Sequence, residues 1–140
     1  MSFGVKDEST SAHCVDDSGR TILVADDTPE VLAFVAESLR RTGYQVLQAV
    51  DGVEALEVAT QHSGLIDLLL TDMEMPRLDG RGLSRRLRHR RPETRTLFMS
   101  GRLDSGLARG TPFLPKPFVG GDLLRKVSEV LESRMAARPA

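Results

Sequence analysis

Five short apolar runs alternate with segments of helical periodicity, and this alternation restricts the fold more than any other feature of the sequence. The runs occupy residues 22–25, 44–49, 65–71, 96–99 and 112–114. Short apolar runs bounded by polar residues are typical of strands that are buried on both faces of a parallel sheet. Strands that alternate with helices predict an α/β fold, in which right-handed crossovers place helices on both faces of the sheet.

Two of the intervening segments carry clear signals for a helix start. Thr28 is followed by Pro29 and Glu30, so we expect the threonine hydroxyl to cap a helix that begins at the proline. Asp51 precedes Glu54 by three residues, and this spacing predicts a capping box at the start of the second helix.

The fourth crossover leaves little room for a helix. Only residues 101–112 separate Ser100 from Phe113, and a parallel crossover uses about a dozen residues or more, several of them in loops. Gly106 and Gly110 lower the helix propensity of the segment further. We therefore predict that the fourth helix is short or absent, with at most about two turns.

Composition limits the number of domains and the kinds of partner. The chain has 140 residues, 40% of them hydrophobic, and a formal net charge of -1. We predict one domain at residues 20–134, a disordered tail at 1–19 and a short tail at 135–140. The near-neutral charge argues against a nucleic acid or membrane partner. The single cysteine and the lack of a signal-like start or a long apolar run indicate a cytoplasmic protein.

One local basic surface surrounds the third predicted helix. Its arginines are Arg77, Arg81, Arg85, Arg86, Arg88, Arg90, Arg91 and Arg95. No recognition motif and no aromatic stacking platform accompanies them, so we interpret this surface as a solvated helix face and expect no nucleic acid partner.

Chemically informative residues follow the predicted strands. Asp26 and Asp27 follow the first run, Asp72 the third, Ser100 the fourth and Lys116 the fifth. Because ligands of an open parallel sheet bind beyond the carboxyl ends of its strands, we expect these side chains to converge. Carboxylates packed together repel one another without a cation, and an all-oxygen, partly hydrated site best suits Mg²⁺.

Each of these residues alone has an ordinary structural explanation. A single aspartate at a strand end more often caps a helix or forms a turn than binds a ligand. The placement of five polar residues at the ends of four strands makes coincidence the weaker explanation.

Four motifs in this order resemble the receiver domain of two-component response regulators. They are LVADD at 23–27, LLLTDMEMPRLDG at 68–80, TLFMSG at 96–101 and FLPKPF at 113–118. The sequence is most similar to receivers that are attached to hybrid histidine kinases. The resemblance implies a flavodoxin-like, doubly wound, five-stranded parallel sheet with strand order 2-1-3-4-5.

The resemblance also implies an acceptor and a metal site. Asp72 would accept a phosphoryl group from a phosphohistidine of a sensor histidine kinase or a histidine phosphotransfer protein. Asp27 and Asp72 would coordinate Mg²⁺ together with the backbone carbonyl of Glu74, and Asp26 would act mainly through a bound water. Glu74 and Arg102 would govern the water that hydrolyses the phosphorylated state.

Other implied roles concern switching. Ser100 and Lys116 would contact the phosphoryl oxygens, and Phe113 would move into space that the Ser100 loop opens, although Phe113 could equally be a core aromatic residue. The peptide bond before Pro117 would be cis. Because the predicted fourth helix is short, the family's usual dimerisation face would be incomplete, so we expect a monomer or a weak dimer.

The resemblance predicts a phosphoacceptor signalling domain without an output domain, and not an enzyme beyond weak self-dephosphorylation. One alternative is an adaptor that uses the fold only to bind partners, but the intact set of strand-end residues argues against it. Another is an aspartate-nucleophile phosphatase. That chemistry would need an aspartate two residues after the nucleophile, where Glu74 follows Asp72.

Overall fold

The computed structural model describes residues 19–101, 107 and 110–133. In this part of the chain strands alternate with helices, as the apolar runs predict. In chain order the elements are β1 (Thr21–Ala25), α1 (Pro29–Arg41), β2 (Gln45–Ala49), α2 (Gly52–Gln61), β3 (Leu68–Asp72), α3 (Gly80–Arg90), β4 (Arg95–Ser100), β5 (Phe113–Pro115) and α4 (Gly120–Glu132).

The five strands form one parallel sheet in the order β2-β1-β3-β4-β5. This order confirms the predicted doubly wound sheet. β3 begins at Leu68, three residues later than the apolar run suggests. Asp67 explains the later start, because its carboxylate accepts a hydrogen bond from the Thr21 amide at 2.8 Å, while Leu65 is exposed to solvent.

The side chains of the central strands β1 and β3 alternate between two apolar layers, one on each face of the sheet. In β1, Ile22 and Val24 pack with residues of α1 and α4, whereas Leu23 and Ala25 pack with residues of α2 and α3. All four side chains are fully buried. A strand that is covered on both faces has no solvent side, which explains the continuous apolar runs.

The two helix-start predictions have different outcomes. The predicted start of α2 is confirmed, because Asp51 Oδ1 accepts a hydrogen bond from the Glu54 amide, while Glu54 Oε1 accepts one from the amide of Val50, the residue before the cap. For α1 the predicted start at Pro29 is confirmed, but the predicted hydroxyl cap is wrong, because the Thr28 side chain makes no capping hydrogen bond. Instead the Thr28 amide donates to Asp26 Oδ1 at 2.8 Å, so an aspartate two residues upstream closes the turn.

The predicted fourth helix and the predicted tails fall largely outside the described part of the chain, so they stay predictions. Residues 1–18, 102–106, 108–109 and 134–140 are not among those described. Within the described ranges, no helix is both long and apolar enough to cross a membrane.

The β3–α3 loop lies so close to its neighbours that two glycines are needed for space. A Cβ atom on Gly80 would lie 2.2 Å from the carbonyl oxygen of Asp72, and one on Gly52 would lie 2.3 Å from the carbonyl oxygen of Leu78. The Gly80 amide donates to the carbonyl of Met73 at 3.0 Å. The start of α3 is therefore held directly against the end of β3.

We predict that Gly80→Ala lowers the free energy of unfolding by about 1–3 kcal/mol, because the new methyl group forces the backbone of β3 and α3 apart. The measurement is urea unfolding followed by circular dichroism. Gly121→Ala is the matched control, since no atom lies within 4 Å of a Cβ there and alanine favours a helix over glycine by up to about 1 kcal/mol. Equal stability of the Gly80→Ala protein and the wild type would contradict the close approach.

Candidate functional site

Three aspartates meet at the carboxyl edge of the sheet. Asp26 and Asp27 directly follow β1, and Asp72 ends the neighbouring strand β3. One carboxylate oxygen from each lies within 4.8 Å of the others, and we call these three residues the acidic cluster. Asp26 is fully buried and Asp72 nearly so, whereas Asp27 is exposed. The cluster is therefore built into the sheet on one side and open to solvent on the other.

Lys116 supplies a positive charge to the acidic cluster from the loop between β5 and α4. Its Nζ atom lies 3.0 Å from Asp26 Oδ2 and 3.5 Å from Asp72 Oδ1. The Lys116 amide donates to the carbonyl of Ser100 at 2.8 Å, and the following peptide bond to Pro117 is cis, the isomer that the resemblance implies. Both carboxylate oxygens of Asp26 accept hydrogen bonds, one from Lys116 and one from the Thr28 amide.

The environment raises the pKa of the Asp72 carboxyl above its ordinary value of 3.8. Burial is the largest cause, since it disfavours the charged form, and the negative charge of Asp26 adds to it. The Lys116 ammonium and the hydrogen bond from the Glu74 amide oppose the shift. Burial and carboxylate repulsion outweigh the effect of the Lys116 ammonium on this pKa.

The donor set fits Mg²⁺. Three carboxylates and one ammonium leave two negative charges in excess when all are ionised, which is the charge that one divalent cation balances. The three carboxylate oxygens lie within 4.8 Å of one another, close enough for these residues to hold one Mg²⁺ directly or through a bound water.

The remaining predicted residues lie at different distances from the cluster. Ser100 is buried at the end of β4, one residue beyond Met99, which is the strand partner of Asp72. Phe113 is half-buried at the start of β5 and pairs with Phe98. The Glu74 side chain is exposed, while its amide reaches the Asp72 carboxylate. Arg102 is not among the described residues.

The structure also contains contacts that the sequence analysis missed. Arg77 forms a two-pronged ion pair with Asp51, with Nε 3.0 Å from Oδ2 and Nη2 3.2 Å from Oδ1. Asp79 caps α3 by accepting a hydrogen bond from the Gly82 amide. The cap of α3 could have been predicted from the sequence, because an aspartate directly precedes the segment with helical periodicity. No local sequence pattern could have predicted the ion pair, because its partners are 26 positions apart.

The family model of the response regulator receiver domain matches residues 22–128. The chain belongs to this family. The match covers all four motifs that carried the resemblance, and the family is that of two-component signalling. Receiver domains are signalling domains that typically bind Mg²⁺ at an acidic pocket, and this chain has the acidic cluster.

Two curated relatives come from Brucella abortus (strain 2308). The chain is 37% identical over 120 residues to the sensor kinase CckA, covering 81% of this chain and 13% of the kinase. It is 31% identical over 118 residues to the response regulator receiver protein CpdR, covering 80% of this chain and 97% of CpdR. The chain also spans about half the length of the transcriptional regulators that it matches.

A solved structure supports the likeness to receivers of hybrid kinases. The receiver domain of the hybrid histidine kinase CckA shares 38% sequence identity and superimposes with a TM-score of 0.71, over 80% of this chain and 99% of that domain. The predicted resemblance is therefore confirmed at the level of family and fold.

We predict that Asp72→Asn stabilises the metal-free protein, increasingly so as the pH rises above 3.8. Because the folded-state pKa of Asp72 is raised, the native wild type binds its proton more tightly than the unfolded chain does. Its contribution to stability is present at low pH and is lost as the pH rises to the folded pKa. Each unit of pKa difference corresponds to about 1.4 kcal/mol.

The measurement is the free energy of unfolding between pH 4 and pH 8 (about one unit per step) in the presence of a chelator. Glu93→Gln, on an exposed loop residue, is the control for loss of a carboxylate away from the cluster. A stability difference between Asp72→Asn and wild type that does not change with pH would show that Asp72 titrates normally.

Proposed function

We propose that this receiver domain accepts a phosphoryl group on Asp72 from a phosphohistidine of a sensor histidine kinase or a histidine phosphotransfer protein. The observation that carries the proposal is the environment of Asp72. Its carboxylate is almost completely buried at the end of β3, and it belongs to the acidic cluster. One of its oxygens lies 3.5 Å from the ammonium of Lys116. The consequence of phosphorylation is a change in a protein-interaction surface.

The transfer forms one bond and breaks one bond. A carboxylate oxygen of Asp72 attacks the phosphorus, and the bond between phosphorus and the histidine nitrogen breaks with its electron pair going to the imidazole. The product is an acyl phosphate. A carboxylate whose pKa is raised by burial is more basic than one in water, and partial desolvation favours its attack on phosphorus.

The charged neighbours of Asp72 determine how the phosphoryl oxygens are stabilised. Catalysis of phosphoryl transfer depends on position and on neutralising charge at these oxygens. Lys116 is held by Asp26 at 3.0 Å, so its ammonium is already placed beside the acceptor oxygen. Mg²⁺ bound by Asp27, Asp72 and the Glu74 carbonyl, with Asp26 acting through water, would supply the remaining positive charge.

Ser100 and Phe113 are the proposed switch residues. A phosphoryl group on Asp72 offers the Ser100 hydroxyl a charged hydrogen-bond acceptor. The Ser100 carbonyl already accepts a hydrogen bond from the Lys116 amide, so movement at the end of β4 is coupled to the loop that carries Lys116. Phe113 lies on the adjacent strand β5 and would turn inward as this end of β4 moves.

Loss of the phosphoryl group would occur by attack of water on the same phosphorus. Glu74 and Arg102 each lie two residues beyond a site residue, Asp72 and Ser100 respectively. We assign to these two side chains control over that water and hence over the lifetime of the phosphorylated state.

We predict that phosphoramidate with Mg²⁺ adds one phosphoryl group to the wild type and none to Asp72→Asn, because the amide of asparagine is not a nucleophile. Intact-mass spectrometry measures the addition. Asp79→Asn is the matched control, since Asp79 ends the loop that follows Asp72, and asparagine preserves its capping of α3. Phosphorylation of Asp72→Asn would reassign the acceptor, and an unmodified wild type that still binds a kinase would favour the adaptor function.

A further inference from the structure

We propose that the ion pair between Arg77 and Asp51 is a latch that fixes the β3–α3 loop beside the acidic cluster, which makes Arg77 a positioning residue for Mg²⁺ binding and phosphoryl transfer at Asp72. The inference deepens the proposed function and rests on it, because the loop concerned contains the Glu74 carbonyl assigned to the metal. The partner of Arg77 in this ion pair is Asp51, which is neither the proposed acceptor nor one of the proposed metal ligands.

The backbone at Arg77 has an unfavourable conformation. Its φ angle is 73°, and in the part of the chain that the structure describes no other residue except glycine has a positive φ. The Leu78 amide donates to the carbonyl of Pro76 at 2.8 Å across it. A positive φ at the centre of such a γ-turn is rare and strained for a residue with a Cβ. Strain of this kind persists only where the surroundings hold the backbone in place.

The side chain of Arg77 supplies part of that restraint. Its guanidinium contacts both oxygens of Asp51, at 3.0 Å and 3.2 Å. Asp51 is fixed in turn because it caps α2 and its side chain is only 11% exposed. The Arg77 hydrogen bond is the largest cause that lowers the pKa of Asp51, so the carboxylate remains charged at neutral pH and holds the guanidinium.

The loop is anchored at its base by other contacts. The Met73 amide donates to Met99 of β4, and the Gly80 amide donates back to Met73. Met75 is buried in the layer between the sheet and the helices α2 and α3. These contacts fix where the loop leaves β3 and where it enters α3.

The tip of the loop rests on the first turn of α2. The Leu78 carbonyl occupies the space that a side chain on Gly52 would fill. Arg77 forms its ion pair with Asp51, the residue next to Gly52. Glu74 lies between the anchored base and this tip, and its amide donates to the Asp72 carboxylate. Releasing the tip would therefore let the Glu74 backbone shift relative to Asp72.

Because the Arg77 side chain is largely exposed, the latch should affect Mg²⁺ binding much more than the global stability of the protein. The Arg77 side chain is 58% exposed, and ion pairs at such positions contribute little to global stability. A group that orients a metal ligand, by contrast, typically changes metal affinity by 10-fold or more when it is removed, roughly 10–100-fold in known sites. Loss of the ion pair should therefore lower the Mg²⁺ affinity clearly while changing the free energy of unfolding little.

Two substitutions break the ion pair, each by removing the charge of one partner. Arg77→Gly removes the guanidinium and also relieves the positive φ, because glycine adopts it without strain. Asp51→Asn leaves the backbone of the loop unchanged and retains the cap of α2, because asparagine caps as well as aspartate. Arg41→Gln is the control, since it removes a comparable exposed ion pair with Glu37 on α1.

The first measurement uses metal-free protein and does not depend on phosphorylation. Hydrogen exchange by mass spectrometry should show faster exchange at residues 73–79 in both latch variants, with melting temperatures close to that of the wild type. The second is a Mg²⁺ titration, in which both variants should bind about 10-fold more weakly. The double variant should bind no more weakly than either single variant, because one interaction is lost in each case.

The outcomes distinguish the latch from the proposed function. Unchanged exchange at residues 73–79, or wild-type Mg²⁺ affinity in Arg77→Gly, would overturn the latch. A weakening of Mg²⁺ binding that also appears in Arg41→Gln, or that is additive in the double variant, would overturn it as well. Failure of phosphoramidate to modify the wild type would contradict the proposed function alone, because the exchange and titration results would still decide the latch.

Discussion

The contact of Lys116 with Asp26 and Asp72 is the interaction on which the arrangement of the site depends. Two of the three carboxylates in the acidic cluster are buried, and charges of one sign are held in a confined space only if positive charge compensates them. Lys116 provides one positive charge at 3.0 Å and 3.5 Å. The excess negative charge that remains makes this edge of the sheet suited to a divalent cation.

The fold explains why this interaction can form between residues that are distant in sequence. β1 and β3 are neighbours in the sheet, so Asp26 and Asp72 end side by side. β4 and β5 continue the sheet from β3, and the register that pairs Ser100 with Pro115 brings Lys116 to the same edge. The β3–α3 loop then closes over the end of β3, where Gly80 permits the backbone contact that a larger residue would prevent.

Much of this could be predicted from local patterns. The apolar runs indicated all five strands, and the residues after them indicated the acidic cluster, because the carboxyl ends of parallel strands share one edge. The start of α2 followed from the spacing of Asp51 and Glu54. The family comparison confirms the resemblance that the four motifs carried.

The features that were missed depend on tertiary contacts. Thr28 occupies the cap position of α1, but the hydrogen bond found there runs from its own amide to Asp26, whose other carboxylate oxygen is bound by Lys116. The run at residues 65–71 enters the sheet only at Leu68, since the Asp67 carboxylate binds the start of β1. The pairing of Arg77 with Asp51 joins two loops, and no local pattern contains both partners.

We propose that Asp26, Asp27 and Asp72 act as one electrostatic unit that binds a divalent cation. The most direct measurement is a Mg²⁺ titration of protein with ¹³C-labelled aspartate carboxyl groups, followed by NMR. We expect the carboxyl signals of Asp26, Asp27 and Asp72 to change together with one dissociation constant, while those of Asp67 and Asp122 stay unchanged. A titration in which Asp72 does not respond, or in which all aspartates respond weakly and alike, would contradict it.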